Sequence, residues 1–228
     1  IAPKGVYKNW YDSEIPTHLP DHIDKRIVLW KTSDKSIKQK KLLNTLFESG
    51  SDLRILIMNV ESFSSGDGAS FAYKFLSAHP KSMVAIDEAT TIKTPTTNRT
   101  KSILKLRDLC KYRRILTGSP VTKSPLDLYS QCLFLDPWLL GHESYYTFKA
   151  RYAVTKKILV NGRNIEIIVG YRNIPEVSDK VATFSKRILK EDCLDLPAKS
   201  YVKHYVELTD EQRRLYKQMK AEAIAFLN

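Results

Sequence analysis

Ser82-Met83-Val84-Ala85-Ile86-Asp87-Glu88-Ala89-Thr90 is the stretch on which the fold turns. It is a short run, apolar almost throughout, that ends in two adjacent carboxylates. That is the pattern of a strand buried on both faces and opening to solvent at its C-terminal end. Working outward, similar runs occur at 27–30, 54–58 and 113–117, giving four predicted strands with 82–87. The stretches between them have helical spacing. Residues 36–49 carry Ile37, Leu42, Leu43, Leu46 and Phe47 among lysines; 69–79 carry Phe71, Phe75 and Leu76; 98–112 carry Ile103, Leu104, Leu106 and Leu109. Strand and helix in alternation predict an α/β fold, a parallel sheet covered by helices on both faces. The opening Ile1-Ala2-Pro3 reads as the tail of a further strand, with more sequence expected upstream of it.

Beyond Pro137 the texture changes. Residues 157–171 form two β-rich runs flanking Asn161-Gly162, the strongest short-range hairpin signal because both turn positions must tolerate positive φ. The aromatic-rich stretch 138–148 is expected to pack beneath this hairpin. A helix is predicted over 174–189 and a strand over 199–208. Thr209-Asp210-Glu211-Gln212 then has the capping-box pattern and starts a last helix that runs to Asn228 without a stop signal. The expected organisation is an α/β lobe over 1–137, an insertion with hairpin and helix over 138–198, and a closing strand and helix over 199–228.

With 43% hydrophobic and 27% charged residues, the 228-residue chain is neither wholly disordered nor collagen-like. Lys plus Arg number 37 against 25 Asp plus Glu, a formal net charge of +12. A surplus of that size favours a polyanionic partner, and by itself leaves nucleic acid and an anionic membrane surface both open. No apolar run approaches the roughly 20 residues of a membrane span. Cys110, Cys132 and Cys193 lie far apart without a C-x-x-C pair, which suits a reducing, intracellular compartment better than a disulfide scaffold or a zinc site. His18, His22, His79, His142 and His204 show no metal-ligand spacing, and Trp10 reads as a core residue rather than a platform for stacking bases.

Chemistry concentrates at Asp87-Glu88. Open parallel sheets bind ligands beyond the carboxyl ends of their strands. In nucleotide hydrolysis one carboxylate holds Mg²⁺ through its water shell, because Mg²⁺ dehydrates reluctantly, and a second orients or deprotonates the attacking water. A bare Asp-Glu pair after a strand is more often a solvated turn, so context decides. The context is Leu116-Thr117-Gly118-Ser119-Pro120, about 30 residues on at the end of the next predicted strand.

Together these segments resemble the first motor lobe of superfamily 2 helicases, specifically SNF2-like ATP-dependent DNA translocases. Ile1-Ala2-Pro3-Lys4 with Asn9-Trp10 and Glu14-Ile15 is similar to the motif that follows that family's nucleotide-binding helix. Asp87-Glu88-Ala89-Thr90 with Ile92-Lys93 is similar to D-E-A-H-x-I-K-N, and Leu116 to Pro120 to L-T-G-T-P, with Leu126-Asp127-Leu128-Tyr129 and Leu133-Phe134-Leu135 following. Lys186-Arg187-Ile188-Leu189-Lys190-Glu191-Asp192 and Leu196-Pro197-Ala198-Lys199 resemble the basic segment and L-P-x-K that lead toward a second lobe. Val206-Glu207-Leu208-Thr209 with Glu211-Gln212 and Leu215-Tyr216 resemble the helix that follows. The compact insertion looks more like bacterial or phage members, which would place the protein in the cytoplasm or nucleoid.

The resemblance implies a RecA-like lobe that uses ATP and Mg²⁺, with Asp87 holding Mg²⁺ through water and Glu88 activating the attacking water. It implies that Thr90, Thr117, Gly118 and Ser119 couple hydrolysis to movement. Duplex DNA would be gripped by its phosphates through Lys4, Asn59, Ser62 and Lys93, and a second RecA-like lobe would complete the site. Three departures stand out. Thr90 replaces the usual His, Ser119 replaces a Thr, and none of the eight glycines opens a G-K-[ST] phosphate loop. The 228 residues alone are therefore expected to hydrolyse ATP negligibly. The rival readings are a DNA-binding scaffold with a degenerate ATPase, the motor subunit of a restriction system and, ranked below them, an RNA helicase of the same superfamily.

Overall fold

In the computed structural model, residues 1–160, 162–195, 197 and 200–227 are described. Four short strands lie where the apolar runs predict them: β1 (Lys25–Leu29), β2 (Leu53–Ile57), β3 (Met83–Ile86) and β4 (Tyr112–Ile115). β1 and β2 are parallel, with Lys25 opposite Leu53; β3 and β4 are parallel, with Met83 opposite Tyr112. Ile1 and Ala2 join the two pairs. The Ala2 N–H donates to the Met58 carbonyl at 3.0 Å and the Val60 N–H to the Ala2 carbonyl at 2.9 Å, while the Asp87 N–H donates to the Ile1 carbonyl at 2.8 Å. The opening residues are thus strand-like, as they read, and sit between β2 and β3. Away from this two-residue bridge the pairs flank a cavity of about 880 Å³, lined by Leu53, Ile55 and Ile57 on one side and Met83, Ala85 and Asp87 on the other.

Helices α1 (Ile37–Asn44), α2 (Gly66–Ala78) and α3 (Asn98–Leu104) connect successive strands. The starts of α1 and α3 are set by short polar side chains that accept from otherwise unpaired backbone N–H groups: Ser36 from Gln39, and Thr97 from Thr100. The apolar faces of the three helices bury Leu43, Phe75, Leu76 and Ile103 against Val28, Met58, Phe63, Ile86 and Ile92. Gly68 marks the closest approach. A Cβ there would lie 2.6 Å from the Ser62 carbonyl oxygen and 2.7 Å from the Ser62 Cβ, so only glycine lets α2 seat on the 60–63 turn.

Helix α4 (Leu128–Leu135) serves two cores. Phe134 enters the core of the sheet, while Tyr129 and Cys132 enter a second core with Phe148, Tyr152 and Val177. The second core is built with α5 (Tyr145–Tyr152), α6 (Ile174–Ala182) and Ala153, the first residue of β5 (Ala153–Val160); β5 and its partner β6 (Arg163–Tyr171) otherwise form a largely exposed hairpin. The hairpin is antiparallel as predicted, and Gly162 has φ +74°; Asn161 lies outside the described residues. Helix α6 stops at Ala182, short of the predicted 189. Of the aromatics expected beneath the hairpin, Phe148 is buried but Trp138 and Tyr146 are 70% and 77% exposed. Glu176 ties this core together by accepting from Arg151, the Tyr152 hydroxyl and Lys180.

Residues Ile1–Ser185 form one compact unit and Lys186–Asn228 another. The second contains α7 (Lys190–Cys193) and α8 (Asp210–Leu227). The predicted capping box is present: the Gln212 N–H donates to Thr209 Oγ1 at 3.3 Å and the Thr209 N–H to Gln212 Oε1 at 3.1 Å. The strand predicted over 199–208 is not formed by residues 200–208, and Lys199 lies outside the described residues. Leu196, Ala198 and Lys199 of the L-P-x-K stretch lie outside the described residues.

Two outcomes follow from this packing. Gly68→Ala forces the 60–63 turn away from α2 and lowers stability by about 1–3 kcal/mol in chemical denaturation, the usual cost of overpacking. Hydrogen bonds from Arg151, Tyr152 and Lys180 hold the Glu176 carboxyl down from 4.5 to about 2. A depressed carboxyl stabilises the fold above its unfolded value, so this contribution is complete above pH 4.5 and is lost as pH falls toward 2. Denaturation midpoints of Glu176→Gln should lose that part of the acid dependence.

Candidate functional site

The β3–β4 ladder does not stop where the strands do. The Leu116 N–H donates to the Ile86 carbonyl at 2.8 Å, and the Ala89 N–H to the Leu116 carbonyl at 3.0 Å. These two bonds hold Asp87 and Glu88 at the end of the sheet beside the start of the Thr117-Gly118-Ser119 turn. Neither carboxylate is tucked into the core: Asp87 is half-buried and Glu88 is exposed. Glu88 has φ 49° and ψ 61°, a left-handed conformation that costs an L-residue with a full side chain about 1–2 kcal/mol. Such strain persists where its surroundings enforce it and clusters at functional sites. Here the enforcement comes from both sides, through the Asp87 N–H on Ile1 and the Ala89 N–H on Leu116.

The Asp87 carboxylate is held by two donors. Oδ1 accepts from the Glu88 N–H at 3.0 Å, and Oδ2 from the indole Nε1–H of Trp10 at 2.8 Å. The core reading of Trp10 is half the story. Its ring packs beside Ala2, Tyr7, Leu29 and Ile57, while its N–H reaches across 77 positions of sequence to the acidic pair. Nothing in the composition or spacing around Asn9-Trp10 signals that bond.

The turn that follows β4 is closed by the Ser119 N–H donating to Thr117 Oγ1 at 3.2 Å. Gly118 has open space where a Cβ would stand, so no neighbour in the chain requires glycine there. Thr90 is half-buried in the 89–92 helical turn. Asp127, read from sequence only as part of a helix, organises the loop leading to α4. Its Oδ2 accepts from the Thr122 and Lys123 N–H groups and from the Thr122 hydroxyl. Burial alone would raise its carboxyl, but these hydrogen bonds outweigh burial and leave it below 3.8.

Three of the residues predicted to hold DNA are differently engaged. The Lys93 ammonium donates to the Thr122 hydroxyl and lies 3.9 Å from Asp127 Oδ2, so it ties the acidic-motif segment to the loop before α4. Asn59 and Ser62 are 6% and 2% exposed. Asn59 Oδ1 accepts the Ser62 N–H at 2.8 Å and the Ser62 hydroxyl donates to the Asn59 carbonyl at 2.7 Å, so both cap a helical turn and face inward. Their polar character reflects local backbone satisfaction, which a sequence cannot distinguish from phosphate binding. Lys4 is exposed and enters no ion pair among the described residues.

The acidic pair fits one half of a Mg²⁺-nucleotide site. Mg²⁺ bound to a nucleotide keeps several waters and needs only one or two carboxylates, which suits the oriented Asp87 carboxylate with the exposed Glu88 beside it. The phosphate-cradling loop has no counterpart in the 228 residues. No helix among the described residues is long and apolar enough to cross a membrane.

Comparison with known proteins matches residues 1–228 to the SNF2-related domain. The chain is 32% identical over 134 residues to the TATA-binding protein-associated factor MOT1 of Saccharomyces cerevisiae, covering 58% of this chain and 7% of that protein. It is 24% identical over 228 residues to the human Helicase-like transcription factor, covering 99% of this chain and 20% of that protein. The chain thus spans between about a fifteenth and a fifth of these relatives' length. Among solved structures it is similar to the Sulfolobus solfataricus SWI2/SNF2 ATPase core in complex with dsDNA, with a TM-score of 0.46 and 27% identity, covering 66% of this chain and 27% of that one. These proteins are fungal, human and archaeal, which lends no support to the bacterial or phage expectation.

The strain at Glu88 gives a stability prediction. Asparagine tolerates the left-handed region better than glutamate, so Glu88→Asn is expected to raise stability by up to about 1 kcal/mol, read by denaturant titration.

Proposed function

The chain belongs to the SNF2-related domain family, and from that premise we propose that it is the part of an ATP-dependent DNA translocase or helicase motor that carries the acidic motif. The observation that carries this reading is the Asp87-Glu88 pair itself. One carboxylate is fixed by two donors and the next is strained, exposed and, among the described residues, without a side-chain partner, at the end of a parallel strand.

In this reading Asp87 faces a magnesium-bound nucleotide through that ion's water shell, and Glu88 orients the attacking water and accepts its proton. The ATP·Mg²⁺ complex, when bound, supplies the scissile phosphoryl group and the positive charge that offsets the charge developing on it. Phosphate-loop and arginine groups come from outside the 228 residues, including a second RecA-like lobe, so this segment alone hydrolyses ATP negligibly. The 117–119 turn shares a backbone hydrogen-bonding carbonyl with the acidic segment at Leu116. A shift at Ala89 is therefore felt at Thr117 and Ser119, the route by which hydrolysis would couple to movement, with Thr90 in the same helical turn.

A net charge of +12 supports DNA as the partner, and Lys4, exposed and unpaired among the described residues, is the member of the predicted set left free for a phosphate. Lys93 contributes by holding Asp127. A DNA-binding scaffold with lost hydrolysis is the second reading, favoured by Thr90 in place of the family's histidine.

The test is DNA-stimulated ATP hydrolysis by the full-length protein and its Glu88→Gln variant. Loss of a positioned general base lowers kcat by about 10²–10⁴ while DNA binding is retained. Equal turnover by both proteins rejects Glu88 as the base. No turnover by either, with DNA binding intact, favours the scaffold.

A further inference from the structure

We propose that Trp10 is a positioning residue for the Asp87 carboxylate, selecting the one rotamer in which the carboxylate can meet a hydrated divalent cation. The proposal rests on the ATPase reading above, and its own test is separable from it.

An indole N–H donates one hydrogen bond and accepts none, so where it points is informative. Trp30 shows that an acceptor is not guaranteed in this fold: its Nε1 is buried without a partner among the described residues. The Nε1–H of Trp10 instead ends 2.8 Å from Asp87 Oδ2. The direction of that N–H is set by packing, because the ring lies against the small apolar cluster of Ala2, Tyr7, Leu29 and Ile57. Trp10 also opens a five-residue π-helical turn, Trp10–Glu14, a rare widened turn that recurs at functional sites.

The second constraint on the carboxylate is local. Oδ1 accepts from the Glu88 N–H, a donor one residue away whose position depends on the left-handed backbone at Glu88. Each oxygen therefore has one donor, and the two donors belong to different parts of the chain. A carboxylate oxygen can accept more than one hydrogen bond, so each keeps capacity for the water shell of a cation. With Trp10 removed, Asp87 would keep only the local bond and turn about its side-chain torsions, half-exposed as it is. The loss is one of orientation rather than of charge. Groups that orient a metal-facing ligand in this way are commonly worth 10–100-fold in metal affinity or activity.

Phenylalanine at position 10 keeps the ring and removes the donor. In ¹⁵N–¹H spectra of the 228-residue chain, the three tryptophans give three indole signals. Trp10→Phe identifies one of them by its disappearance and reports from the remaining spectrum whether the variant is folded. Asp87→Ala approaches the same bond from the other side. The Trp10 indole signal should then shift upfield and exchange with solvent about ten-fold faster or more, the effect of losing one hydrogen bond to a charged group. In the full-length protein, Trp10→Phe should weaken Mn²⁺ binding about ten-fold in the presence of a non-hydrolysable ATP analogue, counted by electron paramagnetic resonance. The Mg²⁺ concentration that half-saturates hydrolysis should rise by a similar factor, while Glu88→Gln lowers kcat with that concentration unchanged. An indole signal unmoved by Asp87→Ala overturns the proposal and leaves the ATPase reading intact. So does a Mn²⁺ affinity unchanged by Trp10→Phe. A full-length protein that neither binds Mn²⁺ with the analogue nor hydrolyses ATP overturns both.

Discussion

Two backbone hydrogen bonds beyond the end of β3 and β4 hold the candidate site in place. The Ile86 carbonyl accepts from Leu116 and the Leu116 carbonyl from Ala89, so the chain is still clamped to its neighbour when it turns away from the sheet. Without that clamp Asp87 and Glu88 would sit on a free loop, and the left-handed conformation of Glu88 would relax. A parallel ladder suits this task. Its slanted, evenly spaced bonds bring the ends of neighbouring strands to the same level, which is why ligands of such sheets gather there.

The elements around the clamp are arranged to defend it. Ile1 and Ala2 bridge β2 to β3 and place a carbonyl on the Asp87 N–H. The helical turn after the acidic pair is anchored through Lys93 to Thr122 and Asp127, and the Ser130 hydroxyl at the face of α4 donates to the Lys93 carbonyl. Helix α4 in turn belongs to two cores at once, so a division of the chain at residue 137 falls just after the element that joins its parts. The hairpin module is thereby continuous with the packing behind the site.

Much of this was legible beforehand. The four strands, the three connecting helices, the hairpin and the Thr209 capping box follow from apolar period, β-rich runs and hydroxyl caps, which act over a few residues. The acidic pair and its partner turn were legible because strand ends are readable and their chemistry is sparse. Asn59 and Ser62 show the limit of such reading: the same amide and hydroxyl can bind a phosphate or cap a turn, and here both are buried and bonded to each other's backbone. Lys93 carries a second partner that sequence does not reveal, because Asp127 lies 34 positions away. Residues 200–208 form no strand although they read as one, because local pattern does not supply the second edge that a ladder needs.

The amino-acid sequence by itself determined the kind of fold, the position of the acidic pair at a strand end and the family, since each is carried by local pattern or by ordered motifs. Tertiary structure alone decided which cations are free and which are tied. It alone set the strained backbone at Glu88 and brought the Trp10 indole onto Asp87. These depend on distances between groups 30 to 80 positions apart, and such distances exist only after the strands have paired and the ring of Trp10 has found its packing.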